Sequence, residues 1–599
     1  MRTDLVLLDL DGTLLNDEKL VSSEDKNALW DLSNSGIYIC YVTSRTGRRI
    51  HELLNGLPCD VIALLNGGDI RITRANGCAC QLYDGINGSS AIGILDELYK
   101  NETADIAAFF DQHELWNGRI TEKGNDVGSY CEFKSILKNN HCQRIRIYKR
   151  QLDVFKNRKD IYVYYENGDT IIESCSVNKE SAVQAICRVL EISSDNIIAF
   201  GDSNADIPML KFAGTGVAMS NASDIVKEAA DELTLSNNES GVGIYLTEKL
   251  GLRSHIHSVS LEEDKCIYLL KDVSGQVPVI SADEKRKRLK TSSNSRGILA
   301  RDPMVMPETV KLFREKTIEN RQKIAEYVGF LSEKLYYDAD HKPVLVSLAR
   351  GGIITGALCK YYIETIYGKK VPHYTISLIR KNGIDSIALS DIVNRHGYDR
   401  IRFIDGWTGS GLISKELEQY VSDYNLEHNT DIDKNLSVLA DTSHVCRIYG
   451  TREDVFMPEC CLNATICGLL SSVIMCSDDY HGTMIFDELA SEDQTIWYYK
   501  LISKNIHKVN TDMIYDNVEF YGRQLQLKIY KEMKLDSEKK VRLGLGESTR
   551  AIFRSDLKEL LVKDPEMKDI AYILHLARQK GIKVKQYDTS KYNCIAILE

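Results

Sequence analysis

The chain of 599 residues has no long uncharged apolar run. Its early apolar stretch is broken by Asp4, Asp9 and Asp11, and no signal-like start is present. Neither a membrane span nor export is expected, and the protein is expected to be cytoplasmic. Excess positive charge is also missing. A net charge of −11 argues against nucleic-acid binding along the whole length, although one basic module can sit inside an acidic average. The 16 cysteines are scattered, and the pairs Cys78/Cys80 and Cys460/Cys461 lack the repeated two-residue gap of a zinc site. Reduced, mostly buried thiols are the expected state. There is no internal repeat and no low-complexity tract. A hydrophobic fraction of 43% supports globular packing, and 599 residues exceed one core, so several domains are expected.

Chemistry is concentrated where apolar runs stop. Leu5-Val6-Leu7-Leu8 ends in Asp9-Leu10-Asp11-Gly12-Thr13, which places two carboxylates where a buried strand should emerge. Such a pair can hold a divalent cation and offer a nucleophile, while Gly12 lets the backbone pass close to an anion. Tyr38-Ile39-Cys40-Tyr41-Val42 ends in Thr43-Ser44-Arg45, whose hydroxyl and amides suit a phosphoryl oxygen. Lys179 opens a helical pattern after Val177-Asn178, and Ile197-Ile198-Ala199-Phe200 runs into Gly201-Asp202-Ser203-Asn204-Ala205-Asp206, a third strand ending in acids.

In this order the four motifs resemble those of the haloacid dehalogenase superfamily of phosphatases, of the capped, Cof-like kind, over residues 1–250. The resemblance implies a Rossmann-like core that uses Asp9 as nucleophile through an aspartyl-phosphate and Asp11 as general acid and base. Thr43 and Lys179 would grip the phosphoryl group. Mg²⁺ would be held by Asp9, the backbone carbonyl of Asp11 and Asp202, with Asp206 supporting. The chain departs from the family at Ala205, where an Asn is usual and a polar contact near the metal is lost. Between Thr43 and Lys179 the insert is too long for a plain crossover. It is expected to hold an α+β cap, about residues 83–172, with strands at Arg144-Ile145-Arg146-Ile147-Tyr148 and Ile161-Tyr162-Val163-Tyr164-Tyr165. A phosphorylated sugar or nucleotide is the implied substrate.

A polar, basic segment from Glu284 to Gly297 reads as a linker. Beyond it, Val344-Leu345-Val346-Ser347-Leu348-Ala349 stops at Arg350-Gly351-Gly352 ahead of a helix-like stretch. Ile401-Arg402-Phe403-Ile404 then leads to Asp405-Gly406-Trp407-Thr408-Gly409-Ser410-Gly411. Two glycines after a strand turn amides toward an anion, and an acid followed by a Thr/Ser/Gly loop suits ribose hydroxyls and a terminal phosphate. The ordered pair resembles a type I phosphoribosyltransferase, and the segments His373 to Arg380, Phe403 to Gly411, Gly450 to Asp454, Cys461-Leu462-Asn463 and Tyr480-His481-Gly482 resemble, over residues 255–510, the branch found in tellurite-resistance and stress-response clusters, some of whose members carry the label cysteine protease StiP. The resemblance implies that Arg350, Gly351 and Gly352 bind pyrophosphate, Asp405 the ribose, and Thr408, Gly409, Ser410 and Gly411 the 5-phosphate of phosphoribosyl pyrophosphate, with Mg²⁺ bridging substrate oxygens. The wider superfamily has two adjacent acids, whereas Asp405 stands alone. A protease reading would instead require a thiolate beside a basic histidine, such as Cys461 with His481.

After a linker or helical connection at 511–538, residues 539–599 carry 13 Lys+Arg against 8 Asp+Glu, and are locally basic. This unit resembles a Pelota-like RNA-binding module through Gly544-Leu545-Gly546-Glu547 and Thr549-Arg550. Gly544, Gly546 and Arg550 are its implied RNA contacts. The resulting expectation is a multidomain α/β protein: a capped Mg²⁺ phosphatase, a phosphoribosyltransferase-like domain, and a small C-terminal α/β module. Fusion suggests sequential chemistry on one metabolite. The alternative keeps the phosphatase and makes the remainder a nucleotide and RNA sensor without turnover.

Overall fold

The computed structural model describes the chain apart from residues 1, 48–49, 101–104, 111–112, 117–124, 127–128, 153–154, 156–157, 257–258, 282–283, 285–298, 302–305, 456–469, 471–472 and 511–518. Most of the basic segment read as a linker, and Cys461, lie outside the described residues. Two compact units emerge, one made of residues 1–33 and 37–252, the other of 34–36 and 253–599.

The first unit is built on an eight-stranded sheet in which Leu5–Leu8 lies between Tyr38–Val42 and Ile197–Gly201. All three run parallel, and their registers are level, with Leu8 opposite both Tyr41 and Phe200. Strands covered on both faces read as continuous apolar runs, and Leu5, Val6, Leu7 and Leu8 are fully buried. Level registers bring the motif ends to one rim. That rim lies at the carboxyl ends of strands where chain order reverses, the usual place for a ligand in such sheets. The insert carries a second, six-stranded sheet whose neighbours Arg144–Ile147, Asp169–Ser174 and Ile161–Glu166 pair antiparallel. Helices Gly88–Lys100 and Tyr130–Leu137 contribute to its separate apolar cluster.

The second unit has a six-stranded sheet with Val344–Leu348 between His373–Ile376 and Ile401–Trp407. Strand Ile401–Trp407 runs further than the apolar residues alone indicate, so Asp405 sits within it rather than after it. Helix Pro307–Asp338, 32 residues long, buries Ile324, Val328, Leu331 and Leu335 in the main apolar cluster of this unit. A four-stranded sheet, with helices Gly544–Arg554 and Ala571–Gln579, forms the C-terminal part. Leu545, Ile552, Tyr572 and Ile573 from this part belong to the same cluster as Ile324 and Leu331. Within the segment read as a linker or helical connection, helix Tyr521–Glu532 packs Leu525 and Ile529 against Leu543, Tyr592 and Ile595 of the C-terminal sheet. Among the described residues, no helix is long and apolar enough to cross a membrane.

Candidate active sites at two strand rims

At the first rim, Asp9 leaves its strand only 6% exposed. Lys179 is the first residue of helix Lys179–Leu190, fixed there by a capping box in which Asn178 Oδ1 accepts from the Ser181 amide at 2.9 Å. Its ammonium donates to both Asp9 and Asp206. Burial works against that charge, yet the two carboxylates keep the amine above its usual range. Asp206 is itself oriented, accepting from the Ser203 amide at 2.9 Å and the Ser203 hydroxyl at 2.7 Å. Asp202 accepts from Thr13 Oγ1 at 2.9 Å. A side chain on Gly12, which has φ +85°, would overlap Asp202. This position therefore demands glycine for both its conformation and its space.

Asp9, Asp202 and Asp206 each offer an oxygen, all within 4.8 Å of one another. Burial first, then the neighbouring acids, push Asp9 up to about 7, with Lys179 opposing. Burial also raises Asp202. Three clustered carboxylates facing one ammonium, all hard oxygen donors, suit Mg²⁺. Thr43 is buried at the end of its strand, with its hydroxyl accepting from the Arg45 amide at 3.2 Å.

Asp11 is placed differently from its neighbours. Arg45 donates to both of its oxygens at 2.6 Å, and Lys19 to one at 2.9 Å. The Arg45 hydrogen bonds, ahead of Lys19, hold its carboxyl down at about 2. Sequence reasoning did not single out Arg45 or Lys19, although two cations flanking an acid in a phosphate site are a usable signal. It also missed Arg144. That guanidinium, on a strand of the insert, donates to Glu173 Oε1 at 2.6 Å and to the Ser44 carbonyl at 3.1 Å, tying the insert to the loop that carries Thr43.

At the second rim, the adjacent parallel strands Val344–Leu348 and Ile401–Trp407 bring Arg350 and Gly351 beside Asp405. Gly351 packs directly against the Asp405 carboxyl, and a side chain there would overlap it. The loop of Thr408, Gly409, Ser410 and Gly411 lines the same cavity of about 430 Å³. Gly352 faces the Ile404 carbonyl on the neighbouring strand instead. Burial drives Asp405 up to about 7, with the nearby Arg550 opposing. Arg350 is buried and donates to the Leu470 carbonyl. Thr408 Oγ1 donates to Asp441 at 2.7 Å, and Asp441 is paired in turn with Arg452. Asp441 directly follows the next strand, Leu436–Ala440, which pairs parallel with Ile401–Trp407, and no spacing marked it.

Gly544 and Gly546 are buried in helix Gly544–Arg554, and Arg550 lines the cavity beside Asp405. Gly544 adopts φ +84° close to Asp454, whose Oδ1 accepts from the Leu545 amide at 3.0 Å. His481 contacts Ser377 through its ring, and its amide donates to Asp385 at 2.6 Å.

Three protein families match this chain. The haloacid dehalogenase-like hydrolases match residues 6–246, the family described as tellurite-like stress resistance cysteine protease StiP matches 259–503, and the PELOTA RNA binding domain matches 520–599. The description for the central region thus names a protease, not a phosphoribosyltransferase. The 5-amino-6-(5-phospho-D-ribitylamino)uracil phosphatase YcsE of Bacillus subtilis (strain 168) is 30% identical over 240 residues, 40% of this chain and 92% of its own. Cysteine protease StiP of Acinetobacter baylyi is 25% identical over 371 residues, 57% of this chain and 94% of its own. A solved haloacid dehalogenase-like hydrolase from Bacteroides thetaiotaomicron is 23% identical, with a TM-score of 0.34 over 41% of this chain and 99% of that one.

Proposed function

The chain belongs, through residues 6–246, to the haloacid dehalogenase-like hydrolases, and from that premise we propose that its first unit is a Mg²⁺-dependent phosphomonoesterase working through Asp9. The carrying observation is the convergence of Asp9, Lys179, Asp202 and Asp206 at one rim. Asp9 attacks phosphorus in line with the departing oxygen and becomes an aspartyl-phosphate, while Thr43 and Lys179 hold phosphoryl oxygens. Asp9, Asp202 and Asp206 would hold Mg²⁺, which when bound supplies positive charge against those oxygens. Asp11 exchanges the proton, first with the leaving oxygen and then with the attacking water. A substrate anion competing for Arg45 and Lys19 frees Asp11 from its present pairing. The name of the Bacillus relative supports a phosphate on a ribose-derived chain as the substrate class.

For the second unit our reading is binding of phosphoribosyl pyrophosphate and transfer at ribose C1. It rests on the shared cavity of Arg350, Gly351, Asp405 and the loop at 408–411. Peptide hydrolysis is the second reading, carried by the name of the matching family, and Cys461, the cysteine it would need, lies outside the described residues. Cys266 and Cys359 are buried with thiols pushed up to about 12, the opposite of an activated nucleophile. RNA binding by the C-terminal module would fall to exposed lysines such as Lys583 and Lys585 beside an edge strand, since Gly544 and Gly546 are buried. A cytosolic setting suits the free thiols.

Phosphate release from phosphosugars and nucleotides with Mg²⁺ tests the first reading. Asp9→Asn should lower it by about 10³-fold or more while substrate still binds. Unchanged turnover would end the nucleophile assignment. Pyrophosphate release with candidate acceptor bases, absent in Asp405→Ala, tests the second; binding without release would make that domain a sensor.

A further inference from the structure

The cavity at the second rim is not made by one domain. Its far wall comes from the C-terminal part, through Arg542, Glu547, Arg550 and Arg554. The loop residues bring two arginines, Arg350 and Arg380, against Asp405, so most of the cavity's positive charge sits on the C-terminal wall. Each terminal phosphate carries about 1.5 to 2 negative charges near neutral pH. A sugar bearing phosphate groups at both ends therefore exceeds what the loops alone can balance.

That wall is fixed in place by specific contacts. Tyr592 Oη donates to the Gly409 carbonyl at 2.8 Å. Asp454 accepts from the Leu545 and Asn593 amides at 3.0 and 2.8 Å. A side chain on Gly409 would come within 2.8 Å of Glu547 Cγ, so glycine there admits the carboxylate to the loop. Glu547 lies between Arg542 and Arg550, at 3.5 and 3.9 Å, distances too long for firm ion pairs. Both arginines are a third exposed and have donors to spare for an anion.

We infer that the C-terminal module completes the ribosyl-phosphate site, with Arg542, Arg550 and Arg554 holding phosphate oxygens and Glu547 standing beside Asp405 as a second carboxylate for the sugar. It deepens the phosphoribosyl reading and rests on it. The lone acid of the strand is thereby given a partner from a distant segment. Helix Gly544–Arg554, with the strand before it, becomes a wall of the site, and RNA and sugar phosphate would meet the module on different faces.

Calorimetric titration of the full chain with phosphoribosyl pyrophosphate and Mg²⁺ tests this, alongside Asp405→Ala, Arg542→Ala, Arg550→Ala and Arg554→Ala. Thermal melting of the second unit reports intact folding of each variant. Arg542→Ala and Arg550→Ala should each weaken binding by about tenfold to a hundredfold, with Arg550→Lys recovering part. Binding lost in Asp405→Ala but kept within about twofold in the arginine variants would overturn the composite site and spare the phosphoribosyl reading. If wild type ignores the sugar phosphate, titration with inorganic pyrophosphate separates the two ideas. Arginine-dependent binding then sustains the anion wall without the ribosyl reading, and no binding overturns both.

Discussion

Single residues in this protein are set by how their charge is balanced, and His373 offers the cleanest case. It is 1% exposed, its Nδ1 donates to the Lys265 carbonyl at 2.8 Å, and its Nε2 faces Ser347 Oγ at 2.7 Å. Burial pulls it down to about 3, with Lys360 adding to the effect. An unfolded histidine takes up its proton near 6.5, so between about 6.5 and 3 the unfolded chain binds more protons than the folded one. Stability from this group is complete above about 6.5 and is lost as pH falls. Urea unfolding of the second unit should show about 2 kcal/mol less stability at pH 5 than at pH 7.5 on this account, and His373→Gln should remove that part of the dependence. A variant with the same pH slope as wild type would assign the effect to other groups. The acids at the first rim follow the same logic with opposite consequences. Asp9 is pushed up to about 7 by burial, with Asp206 and Asp202 adding and Lys179 opposing, while Asp11 is held at about 2 chiefly by the Arg45 hydrogen bonds. Two acids two residues apart are thus prepared for different protonation, and the difference lies in burial and partners rather than in their sequence.

Elements show the same dependence on surroundings, most sharply where glycine stands in a helix. Gly93 lies in Gly88–Lys100 with open space where a side chain would go. Gly522 lies in Tyr521–Glu532, where a Cβ would meet Tyr592 Oη at 2.5 Å, the Gly409 carbonyl at 2.6 Å and Ser443 Cβ at 2.7 Å. Alanine favours a helix over glycine by roughly 0.5–1 kcal/mol. Gly93→Ala should therefore stabilise the first unit by about that amount. Gly522→Ala should destabilise the second by about 1–3 kcal/mol, because a backbone carbonyl cannot step aside. Denaturant midpoints measured on both variants check the pair, and equal signs would refute the packing argument. From sequence the two glycines look alike, which marks the limit of what the chain discloses. Strands such as Leu5–Leu8 and Ile197–Gly201 were legible because a parallel sheet buried on both faces needs unbroken apolar residues, and their ends announced Asp9 and Asp202. Helix Pro307–Asp338 was not, since it buries Ser332, Glu333 and Lys334 alongside its leucines and so lacks a clean apolar stripe. Asp441 behind Thr408 and Glu547 beside Gly409 come from separate elements, and only the folded register brings them in.

For the whole molecule, the division of apolar clusters decides which parts stand alone. The first unit has its own clusters, two around the main sheet and one in the insert. The C-terminal part has one cluster of its own, where Leu525 and Ile529 meet Leu543, Tyr592 and Ile595, but the rest of its apolar residues are shared. Ile552, Tyr572, Ile573 and Leu560 share one cluster with Ile324, Val328 and Leu331 of the long helix and with Ile353 and Leu358 behind Gly352. Re-exposing a large apolar side chain costs about 1.5–3 kcal/mol, so uncovering several consumes most of the roughly 5–15 kcal/mol that holds a domain folded. A chain ending at residue 519 should accordingly keep phosphate release within about twofold of the full protein while its second unit no longer unfolds cooperatively. Calorimetry would show one sharp transition, raised by Mg²⁺ and lowered by chelator, where the full chain shows two. If the shortened chain kept both transitions at their original temperatures, the C-terminal part would be an appended module. The loss of one says instead that a region matching an RNA-binding domain is built into the core of its neighbour, and that the phosphatase is the separable piece.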